Sequence, residues 1–174
     1  MDYYKQIFKR KSFHLFKDTG IITDTEIKGI EEFIKMVRPL DEKIETKICI
    51  VPESETTCKR GGQYCILFYS EAKDEYLRNV GYIGEQIDLY LASQNIGALW
   101  FGIGKPKNMQ MNGLDFVIMI SIAKMAEDWD DVELRLQMKK EGFDGHLTLK
   151  WEKCWCDYLP EYPEGFKSFF DYIK

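Results

Sequence analysis

Apolar positions recur along this chain with two periods. Between residues 79 and 97, Val80, Ile83, Ile87 and Tyr90 or Leu91 fall at helical spacing, while Leu89, Ala92 and Ile96 fill a second side. A helix apolar on two faces packs on both, so this stretch is expected to be the long central helix, with Gly97 as its left-handed cap. Thr23-Asp24-Thr25-Glu26 has capping-box spacing, and the helix it opens carries Ile27, Ile30, Ile34 and Val37 on one face until Pro39 stops it. Tyr4, Ile7 and Phe8 predict a short first helix ending at Lys9-Arg10-Lys11, where positive charge suits the helix dipole. Residues 12–16 alternate polar and apolar, which predicts an extended segment with Phe13, Leu15 and Phe16 partly buried. Runs at 47–51, 63–69, 98–101 and 116–123 read as strands, the first two joined by a polar connector containing Arg60-Gly61-Gly62.

Past residue 124 the pattern is mixed. An acidic helix start at 128–131 is followed by Val132, Leu134, Leu136 and Met138, whose alternation leaves helix and strand in competition. Residues 146–155 alternate as a half-buried strand, and Phe166, Phe169, Phe170 and Ile173 mark a short final helix. The order of elements is that of an α+β protein with one sheet and the 79–97 helix lying across it.

A chain of 174 residues supports one good core, so residues 1–174 are expected to form a single domain. Hydrophobic residues at 45% and charged residues at 30% fit an ordinary globule. No apolar run approaches the ~18 residues of a membrane span, and the first residues begin no signal peptide, so a cytoplasmic protein without membrane contact is expected. The net charge of −5 argues against a nucleic-acid partner. The charge is unevenly distributed. In residues 1–17, Lys5, Lys9, Arg10, Lys11 and Lys17 oppose Asp2 for a net +4, so the remainder carries −9. A basic cluster on an acidic protein is a candidate anion site.

Five cysteines, an odd number, point to reduced thiols. Cys154-Trp155-Cys156 lacks zinc-knuckle spacing, and His14 and His146 complete no ligand set, so no metal is expected. There is no dinucleotide fingerprint, phosphate loop, nucleophile elbow or zinc-protease motif. Ser12 and His14 share one side of the extended segment, but a hydrolytic pair there would have little to orient it. The same atoms suit phosphate capture: Arg10 offers a planar fork, Ser12 a hydroxyl and His14 a ring N–H.

Arg10-Lys11-Ser12-Phe13-His14-Leu15-Phe16 resembles the opening motif of the FMN-dependent nitroreductase family, Arg-basic-Ser-x-basic-x-aromatic. Residues 79–102 resemble that family's central dimer helix and the glycine turn after it, here Gly97-Ala98-Leu99-Trp100-Phe101-Gly102. The likeness spans residues 2–124, and the compressed stretch at 38–64 looks most like the family's short branch. It implies a nitroreductase-like α+β sandwich: one mixed, mainly antiparallel sheet flanked by helices, paired as a homodimer with FMN at the interface. Arg10, Lys11, Ser12 and His14 would take the phosphate and ribityl end, and backbone at Gly97, Ala98 and Leu99 would lie against the isoalloxazine ring. The implied activity is ping-pong hydride transfer from NAD(P)H through FMN to a small-molecule acceptor such as a nitroaromatic, a quinone or a flavin. No catalytic side chain is then required, because the chemistry belongs to the flavin. The alternative is a catalytically weak or inactive flavin-binding or interaction protein of the same fold.

Four positions depart from the family pattern. His14 replaces an arginine or lysine with an imidazole, whose positive charge is conditional on pH. Pro39-Leu40-Asp41-Glu42 lacks the loop asparagine that commonly meets the ring, and Ala123-Lys124 stands where glycine is common. The C-terminal basic pair has only Lys150 and Lys153 as candidates.

Overall fold

The computed structural model describes residues 6–7, 10–17 and 19–125, all in the first of two units into which the chain divides, residues 1–130 and 131–174. The expectations for Tyr4, Phe8, residues 128–138 and 146–155, Cys154, Cys156, Lys150, Lys153 and the final helix lie outside the described residues.

Helix α1, Asp24–Met36, starts where the capping box requires. Glu26 N–H donates to Thr23 Oγ1 at 3.3 Å, and Thr23 N–H donates to Glu26 Oε2 at 2.8 Å, so each residue satisfies an amide the helix leaves open. The helix buries Ile30 and Phe33, with Ile27, Ile34 and Val37 packed beside them, and Val37 turns extended ahead of Pro39. Phe33 stacks on Tyr90 at 4.2 Å between ring centroids, which docks α1 on the next helix.

Strands β1 (Thr46–Pro52), β2 (Tyr64–Ser70), β3 (Ile96–Trp100), β4 (Gln110–Met111) and β5 (Leu114–Lys124) form a five-stranded sheet. Its order is β1-β2-β5-β3, with β4 paired to β5, and every pairing of these strands is antiparallel. β5 bulges at Val117, since Phe68 faces Ile118 while Tyr69 faces Phe116. Asn112 (φ 54°) and Gly113 (φ 84°) make the two-residue turn between β4 and β5, where both positions require a left-handed backbone.

Helix α2, Tyr76–Ser93, is 18 residues long and packs on β3 and β2. Val80, Ile83, Ile87 and Leu91 join Ile66, Phe68, Ile120 and Ile122 of the sheet in the main core. At about 25 cal/mol per Å2 of apolar surface, each such side chain contributes roughly 1.5–3 kcal/mol. The opposite sheet face is covered by Cys58, Leu114, Phe101 and Met111 at one end and by Phe13 and Phe16 at the other.

Three expectations are corrected here. The long helix ends at Ser93, not at Gly97: Asn95 takes the left-handed conformation (φ 57°), and Gly97 lies inside β3, paired with Ala123. An asparagine tolerates that conformation better than other side-chain-bearing residues, so the turn comes two residues early. Of the second side, Ala92 is buried and Leu89 half-buried, while Ile96 is buried as part of β3 and not of the helix. Leu15 is 49% exposed, because the chain bends after Phe13 and turns Phe16 inward instead.

Lys124 ties the end of β5 to the start of α1. Its Nζ donates to Glu26 Oε1 at 2.6 Å and to Gln94 O at 3.0 Å. Burial opposes the Glu26 charge, but Lys124 and the Thr23 donors outweigh it, and the carboxyl sits below its usual value of 4.5. A depressed carboxyl contributes stability above its unfolded pKa and loses it as the pH falls through the folded one. Glu26→Gln should therefore cost about 1 kcal/mol at neutral pH. In urea melts across the acid range, the gap from wild type should narrow as the pH falls below the usual carboxyl value of 4.5 and the carboxylate is protonated. A gap that is constant with pH would mean the carboxylate charge contributes nothing.

Candidate functional site

The candidate residues come from three elements that meet at one end of the sheet. Gln6 and Ile7 are helical, and Arg10 N–H donates to Gln6 O at 2.8 Å, so a helical turn leads into the basic motif. The following segment runs beside β3. Phe13 N–H donates to Ala98 O at 3.1 Å, and Ser12 forms a parallel bridge with Ala98. This pairing extends the edge of the sheet and brings Arg10, Lys11, Ser12 and His14 alongside Gly97, Ala98 and Leu99.

The alternation expected for residues 12–16 holds only as far as residue 14: Ser12 and His14 face solvent, while Phe13 turns in beside Leu99 and Ala123. Phe13 stacks on Phe16 at 5.6 Å, and Lys11 Nζ lies 5.3 Å from the Phe13 ring centroid. Phe16 N–H donates to Arg60 O at 2.8 Å, and the Arg60 guanidinium sits 5.6 Å from the Phe101 ring. A Cβ at Gly97 would come within 2.6 Å of Met125 Sδ and 2.9 Å of Phe13 Cε2. Glycine is required there so that Phe13 can press against the strand.

Arg10 is held from α2. Its Nε donates to Asp88 Oδ2 at 2.7 Å and lies 3.7 Å from Glu85 Oε1. Asp88 is buried and also accepts from Trp100 Nε1 at 2.8 Å. Partial burial pushes the Glu85 carboxyl up, with Arg10 opposing and Asp88 adding to the shift. Sequence reasoning passed over Asp88. The signal was its spacing: it lies four residues from both Gly84 and Ala92, on the stripe the helix buries.

Asn79 was passed over in the same way. Buried on α2, it accepts from Leu40 N–H at 2.7 Å and Asp41 N–H at 3.0 Å, and so pins the loop at residues 39–42. It also lines a recess of about 580 Å3 with Leu40, Asp41, Glu75 and Arg78. That recess is at the N-terminal end of α2, about 13 Å along the helix from Asp88 at 1.5 Å per residue, and belongs to a different part of the surface.

Among the described residues the thiols offer no ready nucleophile. Burial raises the Cys49 and Cys58 thiols and pushes Cys65 up to about 12, so thiolate is scarce at neutral pH. Among the described residues no cluster of histidine, cysteine, aspartate or glutamate is arranged to hold a metal, and no helix is long and apolar enough to cross a membrane.

Residues 2–155 match the family model described as "Putative TM nitroreductase". No curated protein matches the chain. Among solved structures, a nitroreductase family protein from Clostridium difficile 630 aligns at TM-score 0.57 and 10% identity, covering 76% of this chain and 91% of that one. One from Clostridium novyi NT aligns at 0.54 and 17%, covering 76% and 92%. A "putative nitroreductase in complex with FMN" from Desulfovibrio desulfuricans aligns at 0.54 and 15%, covering 73% and 88%. These likenesses agree with the antiparallel sheet and flanking helices described above. With the family match covering most of its length, the chain belongs to the nitroreductase family.

Proposed function

We propose that the protein is an FMN-dependent NAD(P)H oxidoreductase that reduces nitroaromatics, quinones or flavins and works in the cytoplasm as a homodimer. The observation that carries this reading is the pairing of Ser12 and Phe13 with Ala98, which sets the basic motif beside the glycine-containing strand. FMN in the solved relative from Desulfovibrio desulfuricans supports the choice of cofactor. The family match runs to residue 155, past the boundary at 130, and supports reading residues 1–174 as one nitroreductase-like domain.

The donor set fits a phosphomonoester. Arg10, Lys11, Ser12 and His14 supply a fork, an ammonium, a hydroxyl and a ring N–H within five residues, and Ser12 and His14 are open to solvent. FMN, when bound, supplies two-electron hydride chemistry that no side chain offers. The chain's part is to anchor the phosphate through these donors and to present the backbone of Gly97, Ala98 and Leu99 to the ring. The donors occupy an open edge in one protomer. On α2, Leu77 is 61% and Tyr82 48% exposed, and an added Cβ at Gly81 would meet nothing within 4 Å, which supports close approach of a second copy.

A catalytically weak flavin-binding protein is the second reading, favoured by the packing of Phe13 and Met125 onto Gly97, which narrows the space at that position. Absorbance separates the two. Purified protein supplied with FMN should show bound flavin that bleaches when NADH or NADPH is added without oxygen. Bound flavin that stays coloured selects the weak binder, and protein that ignores FMN removes both readings.

A further inference from the structure

Asp88 occupies an unusual position for a carboxylate. It sits in mid-helix, where aspartate is a poor helix former, and its side chain is only 3% exposed, so its charge must be matched. The match is not local to α2. Both donors come from elsewhere, Arg10 Nε from the basic segment at 2.7 Å and Trp100 Nε1 from β3 at 2.8 Å, and both converge on Oδ2. Those two elements are the ones that carry the proposed flavin-binding residues. Gly84, one turn before Asp88, has no Cβ, and the Trp100 ring occupies that space. The absence of a side chain there lets the indole lie against the helix with its N–H on the carboxylate.

We propose that Asp88 is the positioning residue of the anion clamp: held by Trp100, it grips Arg10 by one edge and presets the guanidinium for a phosphoryl group. The inference rests on the flavin reading above and adds a residue that contacts no part of the ligand. An arginine has five N–H donors, and the contact with Asp88 uses only Nε, which leaves the four on the terminal nitrogens. The Arg10 side chain is 29% exposed, so solvent and solutes reach it. A free surface arginine loses rotamer freedom when it is immobilised on a ligand, whereas one already fixed by a buried carboxylate loses much less. The opposing effect is repulsion of a phosphate by Asp88 and Glu85. It is weakened because the guanidinium pairs with Asp88 and because the Glu85 side chain is 49% exposed to screening solvent.

The test compares two ligands that share a ring system and differ in the phosphate. FMN and riboflavin are titrated into the full-length protein, its Asp88→Asn and Trp100→Phe variants, and Arg10→Ala with and without Asp88→Asn. Circular dichroism melts confirm that each variant is folded. Wild type should bind FMN more tightly than riboflavin. Asp88→Asn should shrink that preference about 10-fold, with riboflavin affinity unchanged, since the amide keeps an acceptor oxygen but loses the negative charge that fixes the guanidinium. Trp100→Phe keeps the ring packing but frees the carboxylate, and should shrink the preference about threefold. In the Arg10→Ala background Asp88→Asn should leave the ratio of FMN to riboflavin affinity unchanged. A purely structural role would lower both affinities together. A wild-type preference that survives both Asp88→Asn and Trp100→Phe overturns the role of Asp88 while leaving the clamp intact. A wild type without any preference for FMN overturns the clamp and this inference together.

Discussion

Gly84→Ala should destabilise the fold by about 3 kcal/mol, more than an ordinary alanine substitution in a helix, where glycine is itself the poorer residue. The new Cβ would fall within contact of Trp100 Cη2, with Cζ2 at 3.0 Å and Cζ3 at 3.2 Å. The indole has little room to retreat, because Phe68 stacks on it at 6.3 Å between centroids and Asp88 holds its N–H. Overpacking of this kind costs roughly 1–3 kcal/mol. If the indole is displaced, a buried carboxylate loses a donor, at roughly 1–3 kcal/mol more. Gly81→Ala, less than one turn away, is the control. Its Cβ meets nothing within 4 Å, so helix propensity alone should stabilise by about 0.5–1 kcal/mol in the monomer. Urea titration reads both variants as shifts in midpoint at constant slope. Equal effects at the two glycines would show that the Trp100 packing is not the tight contact described.

Arg10→Ala should weaken FMN binding by about 1.5–3 kcal/mol, the usual value of hydrogen bonds to a charged group, or roughly 10- to 150-fold in Kd. The substitution also strips Asp88 of its cation and leaves a buried carboxylate with Trp100 alone. Part of any change in thermal stability therefore has nothing to do with the ligand, and affinity must be measured on protein shown to be folded. Binding should also fall with added salt in wild type and less so in the variant, because a phosphate contact is screened and a ring contact is not. Fluorescence quenching of free FMN gives both quantities. Unchanged affinity would discard the clamp.

The elements that could be read from the sequence were those whose cause is local. Thr23 and Glu26 carry their capping box in four residues, and Ile30 and the β2 and β5 runs announce burial by spacing alone. The extended basic motif and its partner strand were recognisable by type, and the structure brings them to one edge through Ser12 and Ala98. Gly97 misled because glycine after a helix usually marks a cap, whereas here Asn95 makes the turn and Gly97 answers to Phe13 and Met125, contacts distant in sequence. Asn112-Gly113 was a legible hairpin signal that went unread between two strands. Asp88 and Asn79 were hidden for a different reason. Polar letters on a helix are read as its solvent face, and only the four-residue spacing to Gly84 and Ala92 shows that Asp88 points inward. Lys124 proves to be a tie between β5 and α1, which no local pattern announces.

A crystal structure of the protein grown with FMN tests the central claim most directly. The account predicts the phosphate within hydrogen-bonding distance of Arg10 and Ser12, the ring beside Gly97, Ala98 and Leu99, and a second copy of the chain closing the site. Flavin bound anywhere else, such as the recess beside Asn79, or a phosphate turned away from Arg10, would contradict it.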